Sequence, residues 1–224
     1  MKNNKDTYKN FEIFADVFTY PHRELREKIK QVQKILEMFY PEAAEEFITF
    51  ANFSKSIQIH AWEEIYTRSF DVQALTTLDL GYVLFGDDYK RGELLVNLSK
   101  EHKKANNICH SELADHLPNV LRLLGKLDDE DLIADIITLI MQPALTKIAG
   151  EFETKHIEKK TKIYQKHHRT IIEQNKSYFL IYQYPIKVLL MMIEKDFNNG
   201  ILDVGSGHDF TRQISNELEI EKLG

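Results

Sequence analysis

Glycine and proline are scarce in this chain, and that scarcity limits its fold more than any motif does. Nine glycines and five prolines stand in 224 residues, about 6%, where roughly 12% is usual. An all-β fold needs a turn every ~8–12 residues and draws on glycine and proline to make them. This chain lacks that supply, so an all-α protein is expected. At this length, with 43% apolar residues, it can bury a sizeable core without covalent staples.

Apolar spacing sets out the helices. Residues 8–18 read as a first helix, stopped at Tyr20-Pro21, because the residue before proline avoids the helical region. A second runs over 22–39 to Tyr40-Pro41, and a third over 42–53. Trp62, Ile65, Tyr66, Ser69 and Phe70 then fall on one helical stripe. Residues 74–84 are a short apolar segment read as helical. Gly86 suits a helix end, and Asp87 or Asp88 can cap the helix 88–105, whose stripe is Arg91, Leu94, Leu95, Leu98 and His102. After a loop over 106–114, a helix begins near Leu117-Pro118. Asp128 opens another through Ile133, Ile136, Ile137 and Ile140, which Pro143 should kink or end. The charged stretch 150–177 reads as a solvated helix, 184–197 as the last helix, and Gly200 as the start of a tail. The expected organisation is a helical domain over 1–198 and a tail over 199–224.

Several function classes are disfavoured. One cysteine makes no internal disulfide, Cys-cluster zinc site or iron–sulfur cluster. A net charge of −6 gives no basic footprint for nucleic acid. The first residues are polar with no apolar core of a signal peptide behind them, and the apolar stretches 131–150 and 178–193 are interrupted by polar residues, so no membrane span and a cytoplasmic location are expected. His167 and His168 point about 100° apart on a helix, and His156 lies some three turns away, so no metal site is expected. Cys109 has no evident partner for nucleophilic chemistry. Ile201-Leu202-Asp203-Val204-Gly205-Ser206-Gly207 looks like the cofactor turn of an S-adenosylmethionine methyltransferase, but the 17 residues after it cannot build the parallel sheet such a turn needs.

Three separated segments are more informative: Tyr66 to Asp71, Gly86 to Gly92, and Glu112 to Pro118. Arg91 is the odd residue among them. It stands in the first turn of its helix, where the macrodipole disfavours a cation, and on the same stripe as Leu94 and Leu98. Such a cation needs an acidic partner, and Asp71, Asp88 and Asp115 are the candidates. From spacing alone, a structural salt bridge and a binding site are equally good readings.

The three segments resemble the NarJ-type molybdoenzyme assembly chaperones within the TorD/DmsD family. The family pattern is aromatic-x-x-x-Phe-Asp, then Gly-Asp-x-x-x-Arg-Gly, then Glu-Leu-Pro-Asp-His-Leu-Pro. The resemblance covers about residues 10–140 and fades after Pro143. Ala114 stands where the pattern has proline, and 150–177 has no counterpart in it. What the resemblance implies is a single-domain multi-helix bundle that is not an enzyme and holds no cofactor. It implies a cytoplasmic chaperone, monomer or dimer. Its partner would be the apo catalytic subunit of a molybdenum oxidoreductase, gripped by its N-terminal or signal-like peptide. Carried over by position, Tyr66, Phe70, Asp71, Arg91, Asp115 and His116 would contact that peptide, with Leu117 lining the same groove.

Overall fold

A computed structural model of the protein describes residues 4–152 and 180–198. Among them the chain is helical, without a strand and with one isolated antiparallel bridge, Asp79 to His116. The expected helix over 150–177, beyond Phe152, and the 201–207 string lie outside the described residues, as does the tail.

Proline sets the early boundaries. Helix α1 (Asn4–Phe14) tightens into a 3-10 turn (Ala15–Phe18) ahead of Tyr20-Pro21. Helix α2 (Leu25–Phe39) begins later than the spacing predicts, because His22 to Glu24 form a turn closed by the bond from Leu25 N–H to the His22 carbonyl. Helix α3 (Pro41–Ser56) starts on its proline, where the missing N–H forfeits no bond. In α4 (Ile59–Phe70) the whole expected stripe, Trp62, Ile65, Tyr66, Ser69 and Phe70, is buried.

One expectation needs correction, and another is narrowed. Residues 74–84 are helical only from Leu80, where α5 (Leu80–Phe85) begins. The backbone before it bonds across the chain instead: Leu80 N–H to the Asp115 carbonyl at 3.0 Å, and Leu117 N–H to the Leu78 carbonyl at 2.9 Å. Pro143 does not end its helix. Helix α8 (Glu130–Asp135) widens into a π turn (Ile136–Met141) and continues as α9 (Gln142–Glu151). The π turn makes an i→i−5 bond from Gln142 N–H to the Ile137 carbonyl just before the residue that has no N–H to give.

Other signals read true. Gly86 ends α5 with a φ of 64°, and the Asp88 side chain accepts from Lys90 N–H to cap α6 (Tyr89–Lys104). Helix α7 (Leu117–Leu124) carries Pro118 in its first turn. Helix α10 (Gln183–Ile193) runs on as a π turn to Asn198. Helix α2 packs on α3, α3 on α10, α10 on α9, α9 on α5, and α1 on α7. The buried apolar residues form one cluster. At its centre Phe50, Trp62 and Tyr182 meet, and the Trp62 indole N–H donates to the Tyr182 hydroxyl at 2.9 Å. This assembly holds α4, α5, α6 and α7 with the loops 71–79 and 105–116 side by side.

Candidate functional site: a cleft beside a buried ion cluster

The bridge between Asp79 and His116 brings the two loops together. His116 has extended backbone, with φ −66° and ψ 127°. In extended chain successive side chains point to opposite sides. Asp115 therefore turns inward and is fully buried, whereas His116 turns toward a cleft of about 1140 Å³.

Four charged or polar groups interlock in the cleft wall, three of them lining the cleft and Asp115 behind them. The Arg91 guanidinium donates from Nε to Asp115 Oδ2 at 3.1 Å and from Nη2 to Asp79 Oδ2 at 2.9 Å. The other oxygen of Asp79 meets His116 Nδ1 at 2.9 Å. The guanidinium also lies over the Tyr82 ring, 5.2 Å from its centre. This answers the puzzle of a cation in a first helical turn: two carboxylates offset the unfavourable dipole. Of the expected partners only Asp115 serves. Asp88 caps its own helix and Asp71 is exposed in the cleft. Asp79 is the partner the spacing did not suggest, although it is the sole charged residue in 74–84.

Environment separates the two acids. Burial pushes the Asp115 carboxyl up; the Arg91 hydrogen bond offsets this only in part, and the Asp79 charge adds to it. Its second oxygen, Oδ1, is buried without a hydrogen-bond partner. Burial also pushes Asp79 up, but the hydrogen bond and charge of His116 and of Arg91 outweigh it and hold Asp79 below its ordinary value.

Tyr66, Phe70, Asp71, Arg91 and His116 all line the cleft. Asp115 and Leu117 do not. Leu117 is fully buried and faces the core, where its place in the first turn of α7 directs it, so it forms no part of the groove wall. Tyr66 and Phe70 contribute only edges, since each is 8% exposed and both stack into the aromatic core against Tyr182. The open aromatic surface comes from Tyr20, which is 52% exposed and meets Tyr66 edge-on at 5.5 Å, and from Tyr82. Neither stands among the residues the sequence points to as a site. An exposed tyrosine just before a helix-stopping proline was the available signal for Tyr20.

Negative charge surrounds this aromatic edge. The Tyr66 hydroxyl donates to the Phe18 carbonyl at 3.1 Å, and burial, then the charges of Glu112, Asp71 and Asp79, push its pKa well up. Asp71 and Glu112 are exposed along the cleft. Arg122, which also lines the cleft, is tied to Asp16 at 3.1 Å. The cleft thus offers carboxylates, imidazoles and aromatic faces to whatever enters it, with the cations Arg91, Arg122 and Lys147 also in its walls.

A second polar network shapes the loop that makes one wall. His102 is buried; its Nε2 lies 2.9 Å from the Ala114 carbonyl, and its Nδ1 lies 2.8 Å from Asn107 Nδ2. Asn107 reaches on to the Asn119 carbonyl, and Asn119 Nδ2 to the Leu113 carbonyl. An amide N–H can only donate, so the neutral ring accepts at Nδ1 and donates from Nε2. The sequence placed His102 on the buried stripe of α6 without indicating this role.

Among the described residues no group of three or more His, Cys, Asp or Glu side chains is placed to hold a metal ion. The run Glu130–Glu151 is long and apolar enough to cross a membrane by length and composition, but 56% of its most apolar window is buried inside the fold, so the core already uses much of that apolarity. No protein-family model matches the chain, and neither does any curated protein sequence.

Proposed function

We propose that this chain is an assembly chaperone of the NarJ type, within the TorD/DmsD family, serving a molybdenum-dependent oxidoreductase. In this reading it performs no catalysis. It binds the unfinished catalytic subunit in the cytoplasm by an N-terminal or signal-like segment, stays while the cofactor is inserted, and leaves the finished enzyme. The observation that carries the reading is the cleft itself. Five residues from the three family-like segments, Tyr66, Phe70, Asp71, Arg91 and His116, share its walls. An amphipathic helical segment needs an apolar surface with a few polar anchors. The aromatic edges of Tyr20, Tyr66 and Phe70 supply the first, and Asp71, Glu112 and His116 the second. The exposed carboxylates favour a segment with basic residues.

Co-purification tests this. The tagged protein should retain a molybdenum oxidoreductase subunit from cells unable to make the molybdenum cofactor, and should release it when the cofactor is restored. Retention of the mature, cofactor-loaded complex would instead mark a structural subunit, and retention of no such subunit in either strain would sink the reading.

A further inference from the structure

The cleft wall holds an imidazole whose two nitrogens are treated differently. His116 Nδ1 is engaged by Asp79 at 2.9 Å. His116 lines the cleft, and Nε2 has no hydrogen-bond partner among the described residues. Nor is Nε2 among the buried polar atoms left without one, so it is open to the cleft. The Nδ1 side of the ring is fixed by the groups against it. Asp79 Oδ2 already accepts from the Arg91 guanidinium, which is a donor only. A carboxylate beside a guanidinium stays ionised and can only accept, so the proton between Asp79 and His116 belongs to Nδ1. Arg91 is locked in turn by Asp115, and Tyr82 lies under its plane.

We infer that Asp79 is a positioning residue that fixes the neutral His116 ring as the Nδ1–H tautomer, so that in this form the wall of the cleft presents a bare nitrogen at Nε2 to an N–H donor of the bound segment. The inference rests on the peptide-binding reading for its ligand, but not for its tautomer. A lone pair there complements Asp71 and Glu112, which also only accept. All three would favour a guanidinium or ammonium group and reject a carboxylate. Asp79 also reaches the cleft, with its side chain 25% exposed, and the role assigned to it here is to hold His116.

Asp79→Asn tests the geometry with little change in shape. The asparagine must turn its carbonyl toward the Arg91 donor, which leaves its amide N–H₂ facing His116 Nδ1. That nitrogen then has to accept, and the ring proton moves to Nε2. In protein labelled with 15N-histidine near neutral pH, the His116 signals are those lost in His116→Gln. In the parent they are expected to show a protonated Nδ1 and a bare Nε2, and in Asp79→Asn the reverse. A synthetic amphipathic peptide with an Arg-Arg pair should bind Asp79→Asn about tenfold more weakly. A parent ring protonated at Nε2 overturns the inference, whether or not the peptide binds. A flipped ring with unchanged affinity overturns the contact at Nε2. An Nδ1–H parent ring with no peptide binding by any variant upholds the role of Asp79 and sinks the peptide reading instead. Should Asp79→Asn fail to fold, the parent spectrum alone decides the tautomer.

Discussion

Gly81 and Gly92 stand on the two helices that flank the ion cluster, and alanine at each should shift stability in opposite directions. In open helix, replacing glycine by alanine stabilises by about 0.5–1 kcal/mol, since it lowers the backbone freedom of the unfolded chain. Gly92 meets that condition: a Cβ there would find nothing within 4 Å. At Gly81 a Cβ would lie 2.7 Å from Asp115 Oδ2, 3.0 Å from Leu94 Cδ2 and 3.2 Å from Arg91 Cγ. The first contact decides the sign. Asp115 is fully buried and its Oδ2 is held by Arg91 at 3.1 Å, so it cannot retreat without losing that bond. Overpacking of this kind costs about 1–3 kcal/mol, which exceeds the helix gain. Gly81→Ala should therefore destabilise by about 1–2 kcal/mol while Gly92→Ala stabilises. Urea titration at constant m reads both as shifts in midpoint. The cause is isolated by repeating Gly81→Ala in an Asp115→Ala background, where the obstructing oxygen is gone. There the substitution should become neutral or stabilising, a coupling of about 1–3 kcal/mol. Equal midpoint shifts for the two glycines, or an unchanged penalty in the Asp115→Ala background, would refute the close packing of α5 on the ion cluster.

Two further outcomes follow from charge. Asp71→Asn and Glu112→Gln should each weaken a basic amphipathic peptide by about two- to fivefold at low ionic strength, the scale of an exposed ion pair, with the difference shrinking as salt is added. Anisotropy titrations at two salt concentrations check this, and salt-independent binding would remove the acidic rim from the contact. Acid should loosen the loop wall through His102. Burial, and then the Lys126 charge, hold its imidazole below the ordinary 6.5, and the bond to the Ala114 carbonyl opposes this only in part. The unfolded chain therefore takes up more protons as pH falls through the histidine range, and stability falls with it. The slope of stability between about pH 7.5 and 5 should be shallower in His102→Gln than in the parent, and equal slopes would contradict a neutral buried ring.

Much of the fold was legible because its signals are local. Apolar spacing gave the buried faces of α4, α6 and α8, and Gly86, Asp88 and Pro118 stand at the helix ends they mark. Arg91 announced a buried partner by being a cation where neither the dipole nor its apolar neighbours suit one. Its partnership with Asp79 was not legible, because it depends on where the loop before α5 crosses the one before α7, and the bonds joining Leu78 and Leu80 to 115–117 are long-range. The same bonds explain the misjudged helix over 74–79. Apolar content there suggested a helix, but Gln73, at φ 50°, turns the chain into the left-handed region, and the following backbone pairs across the loop. The ring that meets Tyr66 and Phe70, Tyr182, was equally hidden, since it lies more than a hundred residues further on.

Asp115 and His116 are neighbours in sequence and read as one motif, yet they divide the work between two sides of one wall. Asp115 is sealed behind the wall by Arg91, and His116 stands on its face. Replacing both by alanine at once mixes a brace with a contact and cannot tell them apart. Single isosteric changes can. Asp115→Asn keeps the shape but removes the charge that balances Arg91 and leaves an amide with no acceptor, so stability should fall by about 1–3 kcal/mol. Arg91 keeps Asp79, so the protein should still fold. His116→Gln removes a group that is 13% exposed and bonded once, so stability should change by less than about 1 kcal/mol. Peptide affinity should respond in the opposite order, dropping at once in His116→Gln and, in Asp115→Asn, only as the fold itself loosens. Urea midpoints and peptide titrations on the same two variants separate the cases. If Asp115→Asn loses peptide binding while its midpoint stays at the parent value, Asp115 is a contact after all, and its burial behind Arg91 does not describe the protein in solution.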